Sequence, residues 1–297
     1  MNKLLSLEEM ASQIQNGSTV AIGGSSISRK PMAMVRALAR SGVRDLRLIV
    51  DVGGPEVDLL IGVGAVREVI YAFVGFEFLG LAPHFRQARQ VQSVAFQEWT
   101  EYTIMAGLEA TIKRIPFMPT HTGLATDVLR VNRSFGRIFD PFGGPDVVAV
   151  PPLAPDYALI HVNYADAQGH GVILGDSHVD ALCAKAAKTT FMSCEQVLSS
   201  KDLRTMKATA QILRIYTKGV VEVPWGAHPT IMAPEYRLDL QAFNTYLQHC
   251  VDANRWDQYV REVVLPSHAD YLAGQGGVAS LTARLKPPSS GGPSTQQ

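Results

Sequence analysis

Glu101 stands where a strand-like run, Val91 to Phe96, gives way to a helix-like one, in the stretch Gln97-Glu98-Trp99-Thr100-Glu101-Tyr102. Beyond it Ile104, Met105, Leu108 and Ile112 fall on one helical face, and Ile115-Pro116-Phe117 ends the run. A carboxylate at such a junction lies at the lip of an α/β sheet, where these folds hold their ligands. There it can serve as a nucleophile or a general base. A first-turn glutamate can equally do no more than complement the positive end of a helix dipole.

Three glycine turns follow strand-like runs: Gly23-Gly24-Ser25-Ser26, Gly53-Gly54-Pro55 and the Gly75 corner. Glycine lets a ligand approach the backbone, whose N–H groups can hold an oxyanion or phosphate. Several such turns in succession point to a ligand-binding sheet edge. Arg29 and Lys30, just past the first turn, are candidates to hold a carboxylate or phosphate, or else are solvated surface charges. Asn163 suits the positioning of a carbonyl or hydroxyl, while Asp166 and Gly169 read as an Asx-type turn. His161, His170 and His178 lack a metal spacing, so no metal site is expected. Gly23-Gly24-Ser25-Ser26-Ile27-Ser28 lacks the G-x-G-x-x-G pattern, and neither a Walker A motif nor a G-x-S-x-G elbow occurs. Dinucleotide, P-loop and serine-nucleophile chemistry are therefore not expected.

The elements that must position these residues alternate. Ser6 with Glu9 reads as a capping box opening a helix to about Gln15. A buried strand over 18–22 enters the first glycine turn, and a helix from Pro31 stops at Ser41-Gly42. Strands at 46–50 and 68–74 flank a helix over 57–62. Residues 139–155, rich in Gly and Pro, read as a long turn or exposed loop. A buried strand at 158–162, a helix at 181–187, β runs at 189–192, 212–216 and 219–223, and helices at 239–251 and 256–264 follow. This rhythm predicts an α/β fold with an open, mainly parallel sheet and helices on both faces. Residues 1–285 are expected to form one domain, and 286–297, Pro-, Ser- and Gly-rich, a disordered tail.

The chain of 297 residues is 46% hydrophobic, enough to bury a large core. Lys+Arg and Asp+Glu are each 27, and without a basic surplus neither nucleic acid nor an anionic membrane is an expected partner. Cys183, Cys194 and Cys250 are odd in number and scattered, as in a reducing compartment. Without a secretory h-region or membrane span, a cytoplasmic location is expected.

In order along the chain, Val20-Ala21-Ile22-Gly23-Gly24, Arg29-Lys30-Pro31-Met32, Gly53-Gly54-Pro55, Asp58-Leu59-Leu60, Tyr71-Ala72-Phe73-Val74-Gly75, Ile115 to Thr120 and His161-Val162-Asn163 resemble the α subunit of family I CoA-transferases, the glutaconate CoA-transferase type. Ser28 to Ala33, Val35-Arg36-Ala37, Glu101 with Gly107-Leu108, Gly123-Leu124, Glu222 to His228 and Ala233-Pro234-Glu235-Tyr236 are most similar to the branch of bacterial cholesterol ring-cleaving hydrolases.

The resemblance implies a CoA-transferase (NagB/RpiA-like) fold, a partner β subunit in an α2β2 heterotetramer, and an active site between the two chains. It implies an acyl-CoA substrate, with coenzyme A entering as part of that substrate and no tightly bound cofactor. In true transferases the catalytic glutamate lies on the β subunit; in the ring-cleaving branch it lies on the α chain, at the position of Glu101. Glu101 is then expected to act as base in opening a carbon–carbon bond next to a ketone, with N–H groups of the Gly23-Gly24 or Gly53-Gly54 turns holding the oxyanion. Two alternatives stand beside it: a transferase α subunit moving CoA between an acyl-CoA and a (di)carboxylic acid, and a non-catalytic sensor of acyl-CoA or sugar phosphate.

Overall fold

The computed structural model describes residues 2–206 and 208–287. Of the tail expected from residue 286, all but Lys286 and Pro287 lies outside the described residues.

The first half of the chain alternates as the periodicity predicts, with one further helix, over Pro83–Val91, that the spacing does not indicate. Helix α1 (Leu7–Ala11) opens with the capping box of Ser6 and Glu9 but stops short of Gln15. Strand β1 (Thr19–Ile22), helix α2 (Met32–Arg40), β2 (Leu46–Gly53), α3 (Pro55–Gly62), β3 (Val66–Val74), α4 (Pro83–Val91), β4 (Ala95–Glu98) and α5 (Glu101–Lys113) follow. Val91 belongs to α4 and not to the strand, because Gln92 turns left-handed there and caps the helix.

Residues 116–155 are less bare than their Gly and Pro content suggests. They carry β5 (Met118–Thr120), helix α6 (Val128–Val131), β6 (Gly136–Ile138) and β7 (Val147–Val150), and the three strands form a small antiparallel sheet in the order β5-β7-β6. Then come β8 (Tyr157–Asp166), β9 (Gly171–Val172), α7 (Asp180–Ala186), β10 (Thr189–Leu198), α8 (Ser200–Thr205) and β11 (Thr217–Glu222). The β run expected over 212–216 is only an isolated bridge, Gly171 to Ile212. The C-terminal helices are α9 (Leu240–His249), α10 (Ala253–Tyr259) with a π turn after it, α11 (His268–Gly274) and α12 (Gly277–Leu285).

The main sheet runs β11-β10-β8-β1-β2-β3-β4, with β9 added to β8. Every pair is parallel except β8 with β9. From β1 the chain builds outward through β2, β3 and β4, then returns to build the other side through β8, β10 and β11. The point of reversal, between β1 and β8, is where an open α/β sheet leaves a crevice at its carboxyl edge.

Both faces are covered, as parallel sheets require. Leu46, Leu48 and Val50 of β2 point into a core with Met34 and Leu38 of α2, Val57 of α3 and Phe243 of α9. Ile49, between them, points to the opposite core with Ile104 and Leu108 of α5 and Cys183 and Ala184 of α7. The face of α5 foreseen from its spacing is the buried one. No helix among the described residues is long and apolar enough to cross a membrane.

Candidate active site

The carboxyl edge near the reversal point is built from loops that two buried ion pairs hold in place. After β1 the chain turns at Gly24, with φ +74, and a Cβ there would strike the carbonyls of Ser28 and Arg29. Its N–H donates to Asp180 Oδ1 at 2.7 Å, and Asp180 Oδ2 accepts from Arg29 at 2.6 Å. Lys30, wholly buried, donates to Glu56 Oε1 and the Val52 carbonyl, each at 2.8 Å, and to the Gly24 carbonyl at 3.1 Å. Glu56 in turn accepts from the Gly54 N–H. Ser26 donates its N–H to Val52 at 2.8 Å, and its hydroxyl reaches the Gly75 carbonyl at 3.4 Å. The three glycine corners, 23–26, 53–55 and 75, thus meet at one edge.

Two expectations change as a result. Arg29 and Lys30 are neither solvated surface charges nor free cations: both are buried and spend their charge on Asp180 and Glu56. The N–H groups of Gly23, Gly24 and Gly54 are likewise engaged, by Leu159, Asp180 and Glu56. In this arrangement they hold the loops and are not open to an oxyanion. Ser25 bonds through its N–H to Ser28 and is partly exposed.

Glu101 opens α5 at the same edge. Thr100 caps the helix: its hydroxyl accepts from the Thr103 N–H at 3.1 Å, and Thr103 Oγ1 accepts from the Thr100 N–H at 2.9 Å. That reciprocal cap fixes the first turn and hence the direction in which Glu101 leaves it. Glu101 is exposed, yet its carboxylate lies within 4.8 Å of side-chain atoms of Asp51 and His178. Asp51 leaves β2 just before the Gly53 corner, toward the face that α5 covers. Burial, and then the negative charge of Glu101, push the Asp51 carboxyl up to about 7, against a smaller downward pull from Lys30.

Asn163 sits elsewhere on the edge. Its amide nitrogen donates to the Ala233 carbonyl and to Glu235 Oε2, and its oxygen accepts from the Leu174 N–H at 2.8 Å, so it fastens β8 to two loops. Asp166 Oδ1 accepts from the N–H groups of Gln168 and His170 at 3.0 and 2.9 Å, the Asx-type turn foreseen. His161, foreseen as no metal ligand, joins Ser193 and Glu195 in a buried network, with Glu195 held further by Tyr236 and the Trp225 N–H.

Asp51, Glu56, His178 and Asp180 were not singled out as site residues by sequence. A signal existed for Asp51, an acid inside the apolar run Leu48-Ile49-Val50-Asp51-Val52, because a charge in a strand buried on both faces needs a reason.

Comparison with known proteins adds a family to this geometry. The family model described as Coenzyme A transferase matches residues 4–222. A cholesterol ring-cleaving hydrolase IpdA subunit from Rhodococcus jostii (strain RHA1) is 35% identical over 92% of this chain and 95% of its own length. The subunit of the same name from Mycobacterium tuberculosis (strain CDC 1551 / Oshkosh) is 32% identical over 92% of this chain and 96% of its own. The crystal structure of glutaconate coenzyme A-transferase from Acidaminococcus fermentans superposes with a TM-score of 0.91 at 25% identity, covering 96% of each chain.

Proposed function

The chain belongs to the Coenzyme A transferase family, and on that premise we propose that it is the α subunit of a heteromeric enzyme that opens a ring of a steroid-derived cyclic keto acyl-CoA by hydrolysis, with Glu101 as base. The observation that carries this reading is the placement of Glu101. An acid on a firmly capped first turn stands at the carboxyl edge of the parallel sheet, beside a shielded second acid, in a chain related along nearly its whole length to ring-cleaving hydrolase subunits.

The chemistry follows from the bond to be broken. Water is a poor nucleophile and a ring C–C bond a poor leaving group. A base that takes a proton from water as it attacks the ketone, and later returns that proton to the departing carbon, serves both halves of the reaction. The cations of the glycine loops are consumed internally, so they preorganise the edge. The exposed side of Glu101 faces outward, where a β subunit would complete the cleft in an α2β2 assembly and the CoA thioester would lie. No tightly bound cofactor enters the scheme, and the complex is expected in the cytoplasm.

A second reading, transfer of CoA between an acyl-CoA and a (di)carboxylic acid, draws on the superposition with glutaconate coenzyme A-transferase. In that case a glutamate of the partner chain would carry CoA as a glutamyl thioester, and Glu101 would bind or support. The two separate in one experiment: the chain is purified with its partner and given the cyclic acyl-CoA in oxygen-18 water. Hydrolysis gives a ring-opened acid, heavier by one water, still bearing CoA. CoA exchange to acetate or succinate without uptake of water would reject the hydrolase.

A further inference from the structure

Both carboxylate oxygens of Asp51 are sealed from solvent and without a hydrogen-bond partner among the described residues. An unpaired buried carboxylate is costly, and such a group survives where its charge or its proton has a use. The neighbouring buried charges are matched, Lys30 with Glu56 and Arg29 with Asp180. Asp51 instead faces Glu101 and His178, three side chains whose polar atoms lie within 4.8 Å of one another. His178 Nδ1 is 3.3 Å from Asp51 Oδ2 but off the line of a hydrogen bond.

The turn that presents His178 is a made one. His178 has φ +44, a conformation that side-chain-bearing residues adopt only at a cost. Asp176 secures it, its Oδ1 accepting the His178 N–H at 2.9 Å while its carbonyl accepts from Arg29. The buried Arg29–Asp180 pair thus anchors the imidazole against Asp51.

We propose that Asp51, backed by His178, is a positioning residue for Glu101: it keeps a proton between the two carboxyl groups and so orients an otherwise exposed glutamate into the cleft. The inference rests on the reading of Glu101 as base. In the working state the pair carries one proton, and Glu101 is the ionised member. Water passes a proton to Glu101 as its oxygen bonds to the ketone carbon. The adjoining C–C bond breaks, its electron pair passing to a carbon that holds it as the enolate of another carbonyl, and that carbon takes the proton from Glu101. One water is consumed, one carboxylic acid and one C–H bond are formed, and Asp51 ends with the proton it began with.

The ionisable groups around Asp51 are Glu101 from α5, His178 before α7, Cys183 and the Arg29-paired Asp180 from α7, and Lys30 with its partner Glu56 from α3. Cys183 is pushed up by burial and so remains a neutral thiol. The two cations are neutralised where they stand. Glu101 is then the group whose replacement changes the proton of Asp51, while His178 packs against it.

The test is a pH–rate profile of the enzyme purified with its partner chain, wild type against Asp51→Asn and His178→Gln. Wild type is expected to lose turnover on the alkaline side as the shared proton leaves. In Asp51→Asn the carboxamide donates at every pH, so the alkaline limb disappears while kcat falls about 10- to 100-fold with KM little changed. His178→Gln keeps the limb. An alkaline limb unaltered in Asp51→Asn, or abolished in His178→Gln, overturns the proposal. So does activity lost to a chelator and restored by a divalent cation, which would put a metal where the proton is placed.

A second measurement separates this inference from the reading it rests on. Infrared titration of the unliganded complex should show a protonated-carboxyl band that persists toward neutral pH, vanishes in Asp51→Asn and moves to lower pH in Glu101→Gln. Normal turnover in Glu101→Gln would remove Glu101 as base whatever the band does. A band unaffected by either substitution would remove the shared proton whatever the turnover.

Discussion

Lys30 and Glu56 meet as an ion pair, Nζ to Oε1 2.8 Å, with neither side chain exposed to solvent. The pair spans two loops of the carboxyl edge, since Lys30 also bonds the carbonyls of Gly24 and Val52 and Glu56 accepts from Gly54. Removing one partner leaves a buried charge uncompensated, so Lys30→Met is expected to cost about 3–5 kcal/mol in urea unfolding. Replacing both, Lys30→Met with Glu56→Leu, should cost less than Lys30→Met alone. A double variant no more stable than that single one would deny the coupling.

Gly54 holds two loops in contact. A Cβ there would collide with the Ser26 carbonyl oxygen, a backbone atom that cannot step aside alone. Gly54→Ala should therefore lower stability by about 1–3 kcal/mol and reduce turnover by displacing the loop that follows β1. Gly274, with open space around it and a helical conformation, is the control. Gly274→Ala should be neutral or slightly stabilising in the same thermal melts.

Acid should weaken the C-terminal packing through Asp239. Burial raises that carboxyl, but the His228 hydrogen bond, the Ala242 N–H and the charges of His228 and Arg284 outweigh it and hold it at about 2, below its ordinary 3.8. The stabilisation is therefore complete above about pH 4 and is lost as pH falls from about 4 through 2, an effect of about 2 kcal/mol. Asp239→Asn should be less stable than wild type at neutral pH, and the gap should close on acidification.

Asp58 acts in the opposite sense. Burial pushes it up to about 7, despite hydrogen bonds from the Tyr246 hydroxyl and the Phe85 N–H. Its folded-state pKa exceeds the unfolded one, so its contribution is present below about pH 4 and is lost as pH rises through about 7. Melting temperatures of Asp58→Asn should fall less than those of wild type between pH 5 and pH 8. Parallel curves would place the proton elsewhere.

The sheet edge was legible where local pattern decides structure, and hidden where register does. The change of period across Glu98 to Ile104 marks the junction at Glu101, and the run of glycine corners marks the edge. The role of Arg29 was not legible, because its partner Asp180 is 151 residues away and only the β1–β8 pairing brings them together. Lys30 misled for a related reason: a lysine beside a turn usually faces water, and only the folded loop shows it capped by three acceptors. Strands β5 to β7 escaped notice because each is three or four residues long and finds its neighbour across a Gly- and Pro-rich stretch.

The central claim is that Glu101 handles the proton of the attacking water. Single-turnover ring opening by Glu101→Gln, purified with its partner chain and followed by mass spectrometry in oxygen-18 water, tests it most directly. The expected result is a rate about 100- to 10,000-fold below wild type, with the label still entering the new acid and the subunits still associated. Turnover close to wild type, with the complex intact, would contradict it.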